Sequence, residues 1–335
     1  MGSGAPVLAG DVGGTKTVLR LVARGGGALL TRRYDSAAHA GLEAIVNEFL
    51  REVAAQALAA PRLAAFGIAG PVVDGVCTTT NLPWRVSEPS LAAACGFEAA
   101  RLMNDFEATA YGVLEVPAAS LVLLHPGQAR PRGAIAVLGA GTGLGEALVV
   151  DRRTSALSSD WLVVPGEGSH ADFAPFDEQT LGLWRWLRDR HGHVSWERVV
   201  SGLGMGSIYE YLRDSGAYAE SPAIAAERAA RDPNAVIGEH AVAGDDPLCS
   251  ATIELFAACY GAEAGNLALK GLATGGVFLT GGITPKILQS LRAGRFAERF
   301  RDKGRLSYVV EAIPVYAVLD QEVPLYGAAR VAFTL

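Results

Sequence analysis

The chain has 335 residues, of which 50% are hydrophobic, and a formal net charge of −6 at pH 7. This length fits about two domains of roughly 150 residues each, and the acidic balance disfavours nucleic acid or an anionic membrane as a partner. No apolar run approaches the roughly 20 residues that cross a bilayer, and no secretory signal opens the sequence. The four cysteines form no Cys-x-x-Cys pair, which favours reduced thiols in a cytoplasmic protein over disulfides or a zinc site.

The first predicted element is a β-hairpin at residues 5–24, whose turn has the sequence GGT at residues 13–15. Residues 41–58 then carry apolar side chains at helical spacing and predict a helix. The run LAAFGI predicts a short strand that ends at the Gly-Pro pair at 70–71. This order of elements indicates a mixed sheet covered by helices.

The hairpin pattern recurs at residues 133–150, where a Gly/Thr turn again joins two apolar runs. Thr15 and Thr142 hold equivalent places in the two turns, so we expect an internal repeat of two related lobes, with chance similarity as the alternative. A long predicted helix, CSATIELFAACYGAEAGNLALKGL, precedes a third apolar strand that runs into glycines at 275–285. The polar stretch at 213–247 predicts surface helices and loops.

Neither glycine turn fits the two common phosphate-binding motifs. A P-loop needs glycine before its lysine, but Thr15 precedes Lys16. A dinucleotide fingerprint leads into a helix, whereas the run GAGTGLG at 139–145 leads into a strand. What remains is a hairpin whose turn lets a polyphosphate approach the backbone, because glycine permits positive φ and lacks a Cβ. An ordinary hairpin is the alternative.

Three polar clusters could carry chemistry. Asn104 and Asp105 follow a short apolar run and precede a predicted helix, which they could also simply cap. Glu167 and His170 stand on a Gly/Pro-rich loop, where ligand contacts are common; a metal site of Glu-x-x-His type would need this spacing on paired helices. Glu197 is expected in the first turn of a helix, where the helix dipole alone would explain a carboxylate.

The order of these motifs resembles known proteins. GDVGGT (10–15), LGAGTGLG (138–145) and FLTGGI (278–283) look like the two phosphate loops and the adenosine loop of the actin–hexokinase–Hsp70 ATPase superfamily. GEGSHADFAP and GHVSWERVVSG are similar to runs of the non-zinc bacterial glucokinase family, and this resemblance covers nearly the whole chain. The C-x-C-G-x-x-G-C segment of the zinc-bearing branch has no counterpart here.

The resemblance implies a fold and an activity. The implied fold is a two-lobed, actin-like α/β fold of ribonuclease H type, with mixed sheets flanked by helices and a central cleft. Its small domain would comprise residues 1–115 plus about 318–335, and its large domain residues 116–317. The implied reaction is ATP-dependent phosphorylation of glucose at the 6-hydroxyl, with Mg²⁺ carried on the nucleotide and no zinc.

The resemblance further implies a cytoplasmic homodimer whose partners are glucose and ATP, with no nucleic acid and no membrane. Two alternatives stay open. The first is another hexose kinase, which would use mannose or several sugars, or polyphosphate as the donor. The second is a sugar-sensing regulator that has lost turnover.

The resemblance also implies roles for single residues. Asp105 would accept the proton of the attacking hydroxyl, and Asp11 would face Mg²⁺ through water. The implied sugar contacts are Asn104, Glu167, His170, Glu197 and Asn81. The implied ATP contacts are Gly10, Asp11, Val12, Gly13, Gly14, Thr15, Lys16, Gly141, Thr142, Gly143, Gly281 and Gly282, with Gly275 and Gly276 near the base and ribose. Lys16 and Ser169 depart from the usual Asn and Gly of the family, which leaves the donor preference open.

Overall fold

The structure is a computed structural model that describes residues 4–79, 81–152 and 161–335. The chain divides into two compact units. Unit 1 comprises the residues up to Ala118 together with Asp320–Leu335, and unit 2 comprises Ala119–Leu319. Unit 1 is therefore discontinuous in sequence, whereas unit 2 is one continuous segment.

Unit 1 contains one large and one small sheet, and its last helix lies in the C-terminal segment. Its strands are β1 (Val7–Val12), β2 (Lys16–Val22), β3 (Ala28–Asp35), β4 (Leu63–Ile68), β5 (Val72–Val73), β6 (Val76–Thr78), β7 (Arg85–Ser87) and β8 (Ala99–Asn104). Its helices are α1 (Leu42–Ala55), α2 (Glu88–Cys95), α3 (Asp105–Gly112) and α12 (Val323–Ala332). The main sheet has the order β3-β2-β1-β4-β8, and β5-β6-β7 form a small second sheet.

The predicted first hairpin is confirmed. Its first strand, β1, has side chains buried in two cores, one on each face of the main sheet. Leu8 and Val12 of β1 face a core that includes Phe49 of α1. Val7 faces the opposite way, into a core that includes Ala328 of α12. Because successive side chains of a strand point to opposite faces, covering both faces with helices demands the continuous apolar run seen in the sequence.

The parallel strands β1, β4 and β8 bring two acidic residues to one edge of this sheet. Asp11 of β1 is in register with Gly67 of β4, which is in register with Met103 of β8. The chain leaves β8 at Asn104 and enters α3 at Asp105. Asp11 and Asp105 therefore both lie at the carboxyl ends of the parallel strands of this sheet.

Unit 2 holds the second large sheet and the longest helix. Its strands are β9 (Leu121–His125), β10 (Ile135–Ala140), β11 (Leu144–Asp151), β12 (Trp161–Gly166), β13 (Gly276–Thr280) and β14 (Val315–Val318). Its helices are α4 (Glu178–His191), α5 (Gly202–Asp214), α6 (Pro222–Ala230), α7 (Pro233–Ala243), α8 (Pro247–Gly271), α9 (Leu288–Arg292), α10 (Arg295–Arg301) and α11 (Ser307–Glu311).

The two large sheets share one strand plan. Unit 2 has the order β12-β11-β10-β13-β14-β9, in which β10, β11 and β12 pair antiparallel while β10, β13 and β14 pair parallel. In unit 1, β1, β2 and β3 likewise pair antiparallel, and β1, β4 and β8 pair parallel. The predicted internal repeat is thus confirmed in the topology of the sheets. The predicted long helix is also confirmed, and α8 is buried along most of its length.

Two further findings concern the whole described chain. Among the described residues, no helix is long and apolar enough to span a bilayer. The four cysteines carry free thiols, and three of them are buried. Burial raises the pKa of the partly exposed Cys95 thiol to about 11, so this group is a poor nucleophile near neutral pH.

Candidate active site

The turn between β1 and β2 is a tight loop that only glycine fits at one position. The amide of Gly13 donates to the carbonyl oxygen of Lys16 at 2.9 Å, which closes the turn. A Cβ on Gly14 would lie 2.8 Å from the Cβ of Asn81. Neither Gly13 nor Gly14 adopts a positive φ. Glycine is therefore needed here for space, and this turn does not use the positive φ that glycine permits.

Ser36, the residue directly after β3, stabilises this hairpin. Its hydroxyl donates to the carbonyl oxygen of Gly13 at 2.8 Å, and its amide donates to the carbonyl oxygen of Thr15 at 3.0 Å. The Ser36 hydroxyl also lies 3.0 Å from that of Thr17. Ser36 is fully buried. Sequence reasoning missed it, because its role depends on the pairing of β3 with β2 rather than on any local motif.

Asp11 lies beside the hairpin in an environment that suits a cation. Burial raises the pKa of its carboxyl group to about 6, and the negative charge of Asp105 adds to this effect while the positive charge of Lys16 opposes it. A carboxylate that is costly to ionise gains from a nearby cation. The residues present therefore fit a divalent ion carried on phosphates.

Asn104 and Asp105 stand where β8 passes into α3. The Asn104 side-chain oxygen accepts from the amide of Phe106 at 2.8 Å, and its NH₂ group donates to the carbonyl oxygen of Gly70 at 3.2 Å. The predicted N-cap is thus confirmed, and one amide hydrogen of Asn104 remains beyond these two bonds. Asp105 also accepts from the Phe106 amide at 2.8 Å and is half-buried.

The turn between β10 and β11 has a similar build. The amide of Gly141 donates to the carbonyl oxygen of Gly143 at 2.9 Å, and the carbonyl oxygen of Gly141 accepts from the amide of Gly202 at 2.8 Å. Thr142 is exposed at the tip, as Thr15 is at the tip of the first hairpin. Each unit therefore presents one Gly/Thr turn with an exposed hydroxyl.

Gly281 and Gly282, which follow β13, lie against this second turn, whereas Gly275 and Gly276 stand at the opposite end of that strand. Gly281 has a φ of +85°, and a Cβ there would collide with the carbonyl oxygen of Ala140. The same carbonyl oxygen accepts from the amide of Ile283 at 3.2 Å. Here glycine is required both by its backbone conformation and by the close approach. The structure thus brings Gly281 and Gly282 next to the turn at 141–143.

The predicted loop after β12 is confirmed, and it presents two polar side chains. We call residues 166–170 the GEGSH loop; its last three residues, Gly168–His170, form a short 3-10 turn. The side chains of Glu167 and His170 are both largely exposed, and their Oε2 and Nε2 atoms lie 3.9 Å apart. The turn thus leaves both side chains accessible to solvent.

Glu197 joins the GEGSH loop to the second hairpin. Its amide donates to the carbonyl oxygen of Ser169 at 2.9 Å. Its carboxylate accepts from the amide of Leu144 at 3.1 Å and fills the space beside Gly143, where a Cβ would collide with it. Glu197 therefore belongs to the same local arrangement as Glu167 and the turn at 141–143.

The predicted helix around Glu197 is wrong in its start. Helix α5 begins at Gly202, and residues 196–200 form a turn before it. The Ser201 hydroxyl accepts from the amide of Gly204 at 3.0 Å and so fixes the first helical turn there. The dipole of α5 is thus not the explanation for Glu197, whose carboxylate is bound to the second hairpin instead.

The predicted residues fall into two sets. Unit 1 holds Gly10, Asp11, Val12, Gly13, Gly14, Thr15, Lys16, Asn81, Asn104 and Asp105. Unit 2 holds Gly141, Thr142, Gly143, Glu167, His170, Glu197, Gly275, Gly276, Gly281 and Gly282. Gly10 and Val12 are buried within β1, and Asn81 packs on Gly14. Within the described ranges, no three His, Cys, Asp or Glu side chains form a metal-binding group.

A second residue that sequence reasoning missed is Glu146 of β11. Its side chain is buried beneath the GEGSH loop, against Gly168. The one signal in the sequence was an acidic residue within the mainly apolar run of β11, and that pattern does not show which side chains are buried.

Comparison with known proteins gives consistent matches over the whole chain. The sequence model of the glucokinase family matches residues 8–334. The glucokinase of a Nostoc species is 41% identical over 347 aligned positions, which cover 98% of this chain and 99% of the relative. A crystal structure of glucokinase from an Antarctic psychrotroph is 31% identical, with a TM-score of 0.87 over 99% of this chain and 100% of that one. A ROK family glucokinase from Streptomyces griseus shares the fold, at 20% identity and a TM-score of 0.64 over 99% and 100% of the two chains.

Proposed function

This chain belongs to the glucokinase family, and on that premise we propose that it transfers the γ-phosphoryl group of ATP to the 6-hydroxyl of glucose with Asp105 as the general base. The chain has the actin-like ATPase fold of its structural relatives and is a glucose kinase that uses ATP and a divalent metal ion. The expected glucokinase resemblance, fold class and enzyme class are thus confirmed. The roles of individual residues are the substance of the proposal.

The observation that carries the proposal is the position of Asp105. It is the first residue of α3, directly after β8, and its charge acts on Asp11 near the end of β1, from which β4 alone separates β8. A general base must lie close to the phosphate-binding turn, because the attacking hydroxyl has to contact both the base and the transferred phosphoryl group. The half-buried Asp105 carboxylate can accept that proton, and such a base contributes roughly 10² to 10⁴ in rate.

The phosphates would be bound by backbone and small side chains. The Gly/Thr turns of the two units supply bare backbone and the hydroxyls of Thr15 and Thr142, which suit phosphate oxygens. The charge of Lys16 lies near Asp11 and adds to the attraction. Mg²⁺, when bound with ATP, would neutralise the phosphate charge, and Asp11 would hold it through water.

The sugar would be bound chiefly by carboxylates and an imidazole. Glu167 and His170 point outward from the GEGSH loop, and Glu197 is tied to the same loop by its backbone. An uncharged polyol is well held by such groups, because each of its hydroxyls both donates and accepts. The remaining amide hydrogen of Asn104 would donate to a sugar hydroxyl. Asn81 would contribute by positioning the turn at Gly14, against which it packs.

We also propose the wider setting that the family resemblance implies. Unit 1 and unit 2 would correspond to a small and a large domain, and the active form would be a homodimer in the cytoplasm. Free thiols throughout the four cysteines support a reducing compartment.

The test is an ADP-release assay on the wild type, Asp105→Ala and the control Asp74→Asn. Asp74 lies exposed in a turn of unit 1 with a φ of +49°, which Asn tolerates, so the control changes one carboxylate without touching the site. Asp105→Ala should lose at least about a hundredfold in kcat, while calorimetry still detects glucose binding and the control keeps wild-type values.

Turnover of Asp105→Ala at the wild-type rate would remove Asp105 from the mechanism. The same assay with ATP, run on glucose, mannose, fructose and N-acetylglucosamine, separates the proposal from kinases of other hexoses. Since polyphosphate releases no ADP, turnover with that donor is measured by the formation of the sugar phosphate. Faster turnover with another sugar or with polyphosphate would contradict it, and no ADP release with any sugar would favour the regulator.

A further inference from the structure

Unit 2 contains a carboxyl group that is buried without a hydrogen-bond partner. Glu146 stands in β11 between Leu138 of β10 and Gly166 of β12, and only 3% of it is exposed. Among the described residues, neither of its carboxyl oxygens meets a hydrogen-bond partner. An ionised carboxylate in such a place is costly, so the site favours the neutral acid.

A second carboxyl group, that of Glu263 in α8, lies beside it. Glu263 is fully buried, and its oxygens accept from the Asn266 side chain at 2.9 Å and from the Lys270 ammonium at 3.5 Å. Burial raises the pKa of Glu263, and these two partners oppose the rise. Asn266 and Lys270 favour the charged form of Glu263, whereas the Glu263 carboxyl group favours the neutral form of Glu146. The negative charge therefore resides on Glu263 and the proton on Glu146.

The groups that face Glu146 act on it in opposite directions. Burial first, and then the negative charge of Glu263, raise its pKa to about 8, while the charge of Lys270 lowers it. The charge of Glu146 also acts on Tyr260 of α8, and the charge of Lys303 acts on Glu263. The GEGSH loop adds the exposed side chains of Glu167 and His170 on its outer face.

The carboxyl group of Glu146 supports the turn of the GEGSH loop. Its Oε2 atom occupies the place where a Cβ of Gly168 would lie. Gly168 directly follows Glu167 and begins the 3-10 turn that ends at His170. A movement of this carboxyl group therefore shifts the backbone between Glu167 and His170.

We infer that Glu146 is a positioning residue for glucose: its buried neutral carboxyl group supports the turn at Gly168, and loss of its proton to solvent weakens glucose binding by displacing Glu167 and His170. An ionised Glu146 side chain would be repelled by the charge of Glu263 and would move towards solvent. The turn at Gly168 lies between this side chain and solvent, so the movement would displace the turn. This inference rests on the proposed glucose-binding role of the GEGSH loop.

The experiment measures kcat and the glucose KM from pH 6.5 to 9, at saturating ATP, for the wild type, Glu146→Gln and Glu254→Gln. In the wild type the KM should rise up to about tenfold at pH 9, since only about a tenth of a group with a pKa near 8 is then protonated. Gln cannot lose a proton, so Glu146→Gln should keep its pH 7 KM throughout. Glu254 lies exposed on α8, and its variant should follow the wild type.

The kcat profiles of the three proteins should coincide, because Glu146 touches no reacting group. An equal rise of KM with pH in Glu146→Gln and in the wild type would overturn the inference. Glu263→Gln gives an independent test if Glu146→Gln does not fold. It removes the charge that raises the pKa of Glu146, so the rise in KM should move to lower pH. An unmoved rise would overturn the inference as well.

Glu167→Ala at pH 7 separates this inference from the proposed function. An unchanged glucose KM in Glu167→Ala would show that the GEGSH loop is not the glucose site, and the proposed site would be wrong. A raised KM in Glu167→Ala, together with a wild-type pH profile in Glu146→Gln, would contradict the role of Glu146 alone.

Discussion

Glycines that look alike in the sequence meet different physical needs in the structure. Gly14 leaves room for Asn81 and has an ordinary backbone conformation, whereas Gly281 has a left-handed backbone and also approaches the carbonyl oxygen of Ala140. Gly168 leaves room for a buried carboxyl group. A motif of glycines therefore predicts close approach, but it does not tell whether the neighbour is a ligand, a side chain or the backbone.

Replacement of Gly281 by alanine should weaken nucleotide binding at the proposed site. The left-handed backbone costs alanine about 1–2 kcal/mol, and the collision with Ala140 must push β13 from the second hairpin. We expect about a tenfold rise in the KM for ATP, with a nearly unchanged KM for glucose, in steady-state kinetics. Gly244→Ala is the control, because Gly244 has a φ of +70° but open space around it. An unaltered ATP KM in Gly281→Ala would separate this glycine from nucleotide binding.

Residues were predictable where the signal is local and hidden where it is not. The cap at Asn104 follows from residue type and from the adjoining helix, and the structure confirms it. Ser36 and Glu146 act through strand pairing and through the packing of α8 against the sheet. Such roles depend on three-dimensional neighbours, which a single sequence does not show.

At the scale of elements, α3 is held by an unusually close contact with α12. A Cβ on Gly327 of α12 would collide with the carbonyl oxygen of Ala108 in α3, and one on Gly112 of α3 would collide with that of Val323. The two helices thus touch backbone to backbone. Because Asp105 is the first residue of α3, this contact also fixes the proposed base.

Gly327→Ala should therefore separate α3 from α12. We expect a loss of about 1–3 kcal/mol in the free energy of unfolding, as for other overpacked contacts, and a lower kcat because Asp105 moves with its helix. Urea denaturation and initial rates measure the two effects. Gly238→Ala in α7 is the matched control, since no atom lies within 4 Å of its added Cβ, and alanine there should stabilise by about 0.5–1 kcal/mol. Equal stabilities of the two variants would contradict the close contact.

The elements themselves were predictable where hydrophobic periodicity is strong. Both hairpins, the helix α1 and the long helix α8 follow from alternation or helical spacing, and the structure confirms them. The helix expected at Glu197 was wrong, because the Ser201 cap and the bonds of Glu197 to neighbouring loops decide where the helix begins. Tertiary contacts of this kind override local propensity.

At the scale of the whole molecule, the buried carboxylate of Asp11 lowers the free energy of unfolding, and the size of this loss depends on pH. The folded state raises the pKa of Asp11 from 3.8 to about 6, so it binds that proton more tightly than the unfolded chain does. The free energy of unfolding should therefore fall as pH rises from about 4 to 6, and the full penalty is present above pH 6.

Asp11→Asn should remove this penalty. At pH 7 the variant should gain up to about 3 kcal/mol in the free energy of unfolding and match the wild type near pH 4. It should lose activity because the carboxylate proposed to face the metal ion is gone. Urea denaturation at pH 4, 5, 6 and 7 without nucleotide measures the gain. An equal difference between the two proteins at every pH would show that Asp11 has no raised pKa. Glu146→Gln should behave similarly, with a window that extends to about pH 8.

The C-terminal helix α12 also bears on how the polypeptide acquires its shape during synthesis. Leu325 and Ala328 of this helix complete the core that lies under Val7 and Ala65. A ribosome makes the first strands early but α12 only after every residue of unit 2, so the nascent N-terminal sheet must wait with one apolar face uncovered. Unit 2 can fold as it emerges, whereas unit 1 can bury that apolar face only after α12 has been synthesised.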